Sequence, residues 1–294
     1  MNLASIGETG FLTRLAKRLN IGDDAAILPF IDKDILLCCD TSVEGLHFDQ
    51  RFFSPCQIGY RAIACAVSDI AAMGGLPLYA LIAISLPPSI DIDLVDELYS
   101  GIYDLAESFN IKIVGGDTTA SDRIVITATI LGEAKRPVKR SGARPGDLIG
   151  VTGRLGGASA GLRFLREGVA GAGHLKMRYL APVPRIEEGR RISLYATSMI
   201  DISDGLIMDL FHLSISNKKG VAIERERIPV ADGADVEDAL YGGDDYELLF
   251  TFKSESLSEI EGVGATVIGE VIDGEGVFLD GKEAEIRGYN HFKD

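Results

Sequence analysis

Short acidic clusters, most of them beside glycine, punctuate this chain from end to end. They stand at Gly22-Asp23-Asp24, Asp40-Thr41, Gly115-Gly116-Asp117-Thr118, Asp201-Ile202-Ser203-Asp204-Gly205 and Gly242-Gly243-Asp244-Asp245. A further carboxylate, Asp69, lies inside the apolar stretch 62–73. Charge is costly to bury among apolar side chains, so any fold of this chain must solvate, pair or ligate these acids. Glycine permits tight turns and a close approach of backbone to a ligand, and Mg²⁺ takes hard oxygen donors. Carboxylates far apart in sequence but gathered by the fold point to a multi-metal phosphate site.

A chain of 294 residues exceeds one small core and suits two domains. Its hydrophobic content of 46% is enough to build both cores and excludes a disordered chain. The net charge of −15 excludes a nucleic-acid binder, which needs a basic face. An acidic protein that holds ATP needs divalent metal to bridge carboxylate and phosphate, rather than a lysine-lined pocket. Cys38, Cys39, Cys56 and Cys65 form no C-x-x-C pair, and neighbours on a strand point to opposite faces, so neither zinc nor a disulfide framework is expected. Residues 1–12 lack the basic start and apolar run of a signal peptide. The longest apolar stretch, 76–86, is too short to span a bilayer and contains Pro77. A soluble, cytoplasmic protein is expected.

Apolar spacing predicts helices over 3–20, 57–73, 93–109, 157–166, 185–196 and 206–216. Strands are expected over 35–40, 78–86, 111–114, 124–131, 147–152, 221–224, 247–252, 266–270 and 276–279. Gly74-Gly75 should stop the second helix, and Asp93 with Asp96 should cap the third. The proline, glycine and charge of 135–146 mark a linker. The expected organisation is therefore α+β, with an N-terminal domain over 1–136 and a C-terminal domain over 137–294.

Asp69 is the most diagnostic acid. Cys65, Ala66, Ala72 and Met73 are its neighbours at helical spacing, so no cation on its own helix pairs with it, and a metal-ligand role is favoured. The pairs Asp23-Asp24 and Asp117-Thr118 fall at expected element ends, where each alone reads as a turn or cap. Asp40, ending a strand, also reads alone as a solvated turn. Two acids and a hydroxyl in 201–205 exceed what capping the following helix requires, although one acid is expected to cap it. The run 91–93 reads as a helix start and 232–235 as a solvated loop. The connection 152–159 could place amides on phosphate or be a structural turn. No P-loop, dinucleotide or kinase glycine-loop signature is present, and no serine, histidine and acid stand in a recognised triad order.

In order along the chain, seven segments resemble the family that contains aminoimidazole ribonucleotide synthetase, selenophosphate synthetase and the hydrogenase-maturation dehydratase. They are similar above all to its thiamine-monophosphate kinases. These are Ile21-Gly22-Asp23-Asp24-Ala25-Ala26, Asp40-Thr41 with Gly45-Leu46-His47-Phe48, and Ala66-Val67-Ser68-Asp69-Ile70-Ala71-Ala72-Met73-Gly74. The series continues with Gly115-Gly116-Asp117-Thr118-Thr119, Arg140-Ser141-Gly142-Ala143, Asp201-Ile202-Ser203-Asp204-Gly205-Leu206 and Gly242-Gly243-Asp244-Asp245-Tyr246-Glu247-Leu248. The resemblance runs over 7–292. It implies that ATP phosphorylates thiamine monophosphate directly and in line, with several Mg²⁺ ions and K⁺ as a candidate further cation. No catalytic base or covalent intermediate is implied. By position, Asp24, Asp40, Asp69, Asp117, Asp201 and Asp204 would hold metal. Cys38 and Cys39 stand where relatives often carry Ser or Thr, and offer only backbone carbonyls to the metal set. Tyr99, Gly116, Asp117, Arg140 and Ser203 would contact nucleotide. His47, Asp244 and Tyr289 would contact the thiamine substrate, with Asp244 in place of a common Glu and Tyr289 in place of a common Trp. The family further implies a homodimer paired through N-terminal domains. The alternatives are another ATP-dependent enzyme of the family, such as aminoimidazole ribonucleotide synthetase, and a non-catalytic metal and nucleotide sensor.

Overall fold

The structure, a computed structural model, describes residues 23–30 and 32–289, so the helix expected over 3–20 lies outside the described residues. Two compact units emerge. One comprises Ala25–Val138 and Ala160–Leu194; the other comprises Asp23 and Asp24, Lys139–Ser159 and the described residues from Tyr195 onward.

The first unit is built on a five-stranded sheet. Its elements begin with β1 (Ala26–Pro29), β2 (Asp34–Val43), α1 (Pro55–Ala72), β3 (Leu76–Leu86), α2 (Ile92–Ser108), β4 (Lys112–Ala120) and β5 (Val125–Ala134), in sheet order β1-β2-β5-β3-β4. The parallel β3–β4 pair is joined through α2, and the other pairs are antiparallel. Strict burial alternation along β5 reflects a sheet with one covered face. Helix α1 starts with a capping box between Ser54 and Gln57 and with Pro55 in its first turn. It ends where Gly74 takes φ +69°. At Gly59 a Cβ would lie 1.9 Å from the Leu98 carbonyl oxygen, and at Gly101 a Cβ would lie 1.8 Å from that of Cys56. The backbones of α1 and α2 are thus in direct contact there.

Some boundaries differ from expectation for visible reasons. Asp91 caps α2, its carboxylate accepting from the Asp93 amide at 3.1 Å, so the helix begins before Asp93. Strand β4 does not stop before the Gly115-Gly116-Asp117-Thr118 cluster but runs through it, because β3 continues to pair with it as far as Leu86↔Ala120.

The chain continues with β6 (Leu148–Val151) and α3 (Gly157–Arg166). Two short helices, α4 (Gly173–Leu180) and α5 (Ile186–Ile192), belong to the five-stranded unit. There Arg61 donates to the Tyr179 carbonyl at 2.6 Å and stacks on its ring. Helix α5 is shorter than the expected 185–196, because Ala196 already pairs in a strand.

The second unit holds a seven-stranded sheet. It is completed by β7 (Ala196–Asp201), α6 (Leu206–Asn217), β8 (Gly220–Ile223), α7 (Val236–Tyr241), β9 (Leu248–Phe252), α8 (Leu257–Glu261), β10 (Thr266–Ile272), β11 (Gly276–Leu279) and β12 (Lys282–Glu283). The order is β12-β11-β8-β10-β6-β9-β7, antiparallel except for β8–β11. Ile149, Val151, Leu206, Leu210, Leu249 and Ile268 lie in its core, so sheet and α6 share one apolar layer. The expected mixed α+β architecture is what the chain adopts. Among the described residues no helix is long and apolar enough to cross a membrane.

Candidate functional site

In the seven-stranded unit, β7 runs as a buried strand to Asp201, and the chain then turns into α6. The turn is tied to the glycine-rich segment before β9. Ile202 donates to the Glu247 carbonyl at 2.8 Å, Tyr246 to that of Ile202 at 2.9 Å, and Asp244 to that of Ser203 at 2.8 Å. The motifs 201–205 and 242–248 thus form one continuous scaffold. The C-terminal segment joins them, since the Tyr289 amide donates to the Asp204 carbonyl at 3.1 Å. Asp201, Ser203, Asp204, Asp244 and Tyr289 are brought together.

Asp24 and Arg140 reach the same region. Arg140 grips Asp24 through two N–H donors, at 2.8 and 3.2 Å, and its amide donates to Asp23 at 2.9 Å. The Asp24 side chain is 0% accessible, and carboxylate oxygens of Asp24 and Asp201 lie within 4.8 Å of one another. Burial opposes the Arg140 charge, but Asp24 beside it, with Asp201 and Asp209, more than offsets this and holds the guanidinium charged well beyond its usual range.

Asp209, on the first turn of α6, went unnoticed in the sequence. Its Oδ2 accepts from the amides of Asp204 at 3.2 Å and Gly205 at 3.1 Å. Burial, then the charges of Asp204 and Asp201, push its carboxyl well above the ordinary carboxylate range. The hard anionic oxygens of Asp24, Asp201 and Asp204 gathered here are what a divalent cation relieves, so this donor set fits Mg²⁺. The expected capping of α6 by Asp201 or Asp204 does not occur. Gly205 is the N-cap, without a side-chain bond, and Asp209 reaches back past it to the amides of Asp204 and Gly205. His212 lies one turn further on, its Nε2 3.7 Å from Asp204.

Asp244 and Asp245 are neighbours with different surroundings. Asp244 takes φ +70° and accepts from the Tyr246 hydroxyl at 3.3 Å. Asp245 is buried and accepts from the amides of Gly156 at 2.5 Å and Ala158 at 3.1 Å. The 152–159 connection is therefore a structural turn whose amides serve Asp245 rather than phosphate. Glu247, also buried, accepts from the Thr152 hydroxyl at 2.7 Å.

In the five-stranded unit, Asp40 lies in β2 and Asp69 in the last turns of α1. Cys38 is turned inward, its Sγ 3.1 Å from the Ala66 carbonyl, whereas Cys39 is exposed. Burial, then Asp69 and Asp40, push the Cys38 thiol up; Asp40, two residues on in β2, shares the strand face of Cys38. His47 accepts from the Val43 amide at 2.9 Å through Nδ1, and Tyr99 on α2 packs against Tyr103.

Gly116 and Asp117 sit on exposed β4. Asp117 is in register with Ala83, Ala83 with Thr127, and Thr127 with Thr41. That row belongs to the outer face, one residue out of phase with Asp40. Three strand spacings also part Asp117 from β2, roughly 14 Å. Within this unit Asp117 is not brought to Asp40 and Asp69.

Two family models match the chain: "AIR synthase related protein, N-terminal domain" over residues 22–134, and "AIR synthase related protein, C-terminal domain" over residues 144–282. The chain belongs to the AIR synthase-related family. Its relatives include the thiamine-monophosphate kinase of Aquifex aeolicus (strain VF5), 38% identical over 99% of this chain and 100% of the relative. The thiamine-monophosphate kinase of Escherichia coli (strain K12) is 36% identical over 95% of this chain and 94% of its own length. A solved structure described as AaThiL complexed with AMPPCP and TMP superposes with a TM-score of 0.94 at 37% identity, covering 99% of both chains. Within the family the chain thus stands among the thiamine-monophosphate kinases.

Proposed function

We propose that this protein transfers the γ-phosphoryl group of ATP to thiamine monophosphate, giving thiamine diphosphate. Near-full-length similarity to thiamine-monophosphate kinases carries the reading. The fold shared with a protein solved with AMPPCP and TMP supports it. In the seven-stranded unit, Asp24, Asp201 and Asp204 would hold Mg²⁺; in the five-stranded unit, Asp40 and Asp69 would do so. Bound Mg²⁺ supplies charge neutralisation and alignment of donor and acceptor phosphates. Arg140, oriented by its two bonds to Asp24, and Ser203, on the turn before α6, meet the nucleotide, with Tyr99 on its own helix. The acceptor phosphate is already ionised near neutral pH, so no side chain need remove a proton from it. Asp244, steadied by the Tyr246 hydroxyl, and the Tyr289 ring would face the cationic thiazolium, and His47 is a further thiamine contact.

The outer face of the five-stranded sheet exposes Leu37, Tyr79, Leu81 and Val114, the last to 59%. We propose that a second copy covers this face and that Gly116 and Asp117 serve the site from it, which answers the distance between Asp117 and Asp40. The reaction's ATP demand is met in the cytoplasm.

The test is ADP release by the purified protein with Mg²⁺ and ATP, offering thiamine monophosphate, free thiamine or an aminoimidazole precursor. Release with thiamine monophosphate alone is expected. Turnover with another acceptor, or nucleotide binding without turnover, would overturn the reading. Sedimentation should show a dimer that Leu81→Asp dissociates.

A further inference from the structure

We propose that Asp209 is a positioning residue, fixing the Ser203-Asp204-Gly205 turn in the geometry in which Ser203 and Asp204 meet nucleotide and metal. The proposal rests on the functional reading above and deepens it.

A helix start leaves backbone amides without acceptors, a need usually met by the side chain of the N-cap residue. Here the N-cap is Gly205, which has no side chain to offer. Nor can one be added. Gly205 takes φ +112°, and a Cβ would lie 2.9 Å from the carbonyl carbon and oxygen of Tyr241. Asp209, four residues on, does not take over that cap; through one oxygen it accepts instead from the amides of Asp204 and Gly205, the two residues that lead into the helix.

The location of this carboxylate is unfavourable on packing grounds alone. Asp209 is 1% exposed on a helix whose neighbours Leu206, Leu210 and Leu213 are core, and it lies near Asp204 and Asp201. An apolar side chain would fill the space without charge. What an apolar side chain could not do is hold the turn by its amide side. The carbonyl side is already fixed, Ser203 to Asp244 and Asp204 to Tyr289. Asp209 supplies the complementary restraint, so both edges of the turn are pinned. His212 flanks the Asp204 carboxylate from the next turn of α6.

Three substitutions separate this role from direct metal ligation. Asp209→Asn keeps the acceptor oxygen and shape but removes the charge. Asp209→Glu keeps the charge but displaces the oxygen by a methylene. Asp209→Ala removes both. Each would be followed by steady-state kinetics, by calorimetric titration of the protein with Mg²⁺ and AMPPCP, and by thermal melting.

Positioning requires that Asn stay within about threefold of wild type in kcat, while Glu and Ala fall on the order of a hundredfold. Glu and Ala should also need more free Mg²⁺ to bind AMPPCP, with the KM for thiamine monophosphate little changed. Glu outperforming Asn would show that the charge itself ligates metal, and three variants like wild type would show no role; either result overturns the proposal. Should Ala not fold, the Asn and Glu pair still decides. If wild type binds Mg²⁺ and AMPPCP but does not turn over thiamine monophosphate, the functional reading fails while the titrations still judge Asp209.

Discussion

In the seven-stranded unit the acids stand at turns and element ends: Asp24 ahead of the first strand, Asp201 at the end of β7, Asp204 before α6, Asp244 before β9. In the five-stranded unit they stand inside regular elements, Asp40 in β2, Asp69 in α1 and Asp117 in β4. The first set is held by side-chain and amide partners, Arg140 on Asp24 and Asp209 under the turn. The second set is placed by the strand ladders and the helix that carry it. A turn is held in shape by its polar contacts, so removing a partner there disturbs both the site and the fold. A residue on a strand or helix can lose its charge while the backbone stays where it is.

The largest expected effect tests the second set. Asp69→Asn should lower kcat by at least about a hundredfold, the scale of a lost metal contact. Its melting temperature should stay within about 2 °C of wild type. EDTA should abolish turnover and Mg²⁺ restore it; an EDTA-resistant reaction would refute the metal site. Next comes Arg140→Ala, which leaves the Asp24 carboxylate buried and unpaired and should cost about 3 kcal/mol in urea unfolding. Arg123→Ala, breaking a solvent-exposed pair with Asp122, should change stability by no more than about 0.5 kcal/mol. Equal losses in the two would erase the contrast between held and merely adjacent charges.

Asp245→Ala deprives the Gly156 and Ala158 amides of their acceptor and should cost about 2–3 kcal/mol. Asp244→Asn, next to it, keeps a side chain that tolerates positive φ, and should leave stability alone while raising the KM for thiamine monophosphate about tenfold. The smallest effect concerns the cysteine pair. Iodoacetamide at neutral pH should label exposed Cys39, less so at high protein concentration, where the proposed second copy would cover it, and spare Cys38. The Cys38 thiol is raised above its ordinary 9.0, so above that pH the unfolded chain loses this proton before the folded one does. Stability should therefore decline as pH rises past 9, and Cys38→Ala should flatten that decline.

Much of this was legible in the sequence. The acid-glycine clusters, the α1 and α3 helices and strand β9, which begins opposite Asp201, all follow from spacing and composition. Strand β7 was missed because its alternation is weak and the charged residues before it read as one long helix. Gly115-Gly116 read as a strand end because glycine disfavours strands, but here pairing with β3 carries the ladder through. A Cβ at Gly116 would lie 1.7 Å from the Ile82 carbonyl oxygen, a closeness that no local pattern reveals. Asp209 escaped notice because a first-turn acid is ordinary at a helix start, and only the three-dimensional turn shows which amides it serves. The outward phase of Asp117 likewise depends on a register shift between Ala80 and Leu81.

The contact of α1 and α2 through Gly59 and Gly101 bears on any effort to evolve this protein. With each backbone occupying the space a methyl group would need, both codons should return unaltered from a randomised library. The two helices therefore constitute a single inherited part, to be transplanted together or left in place.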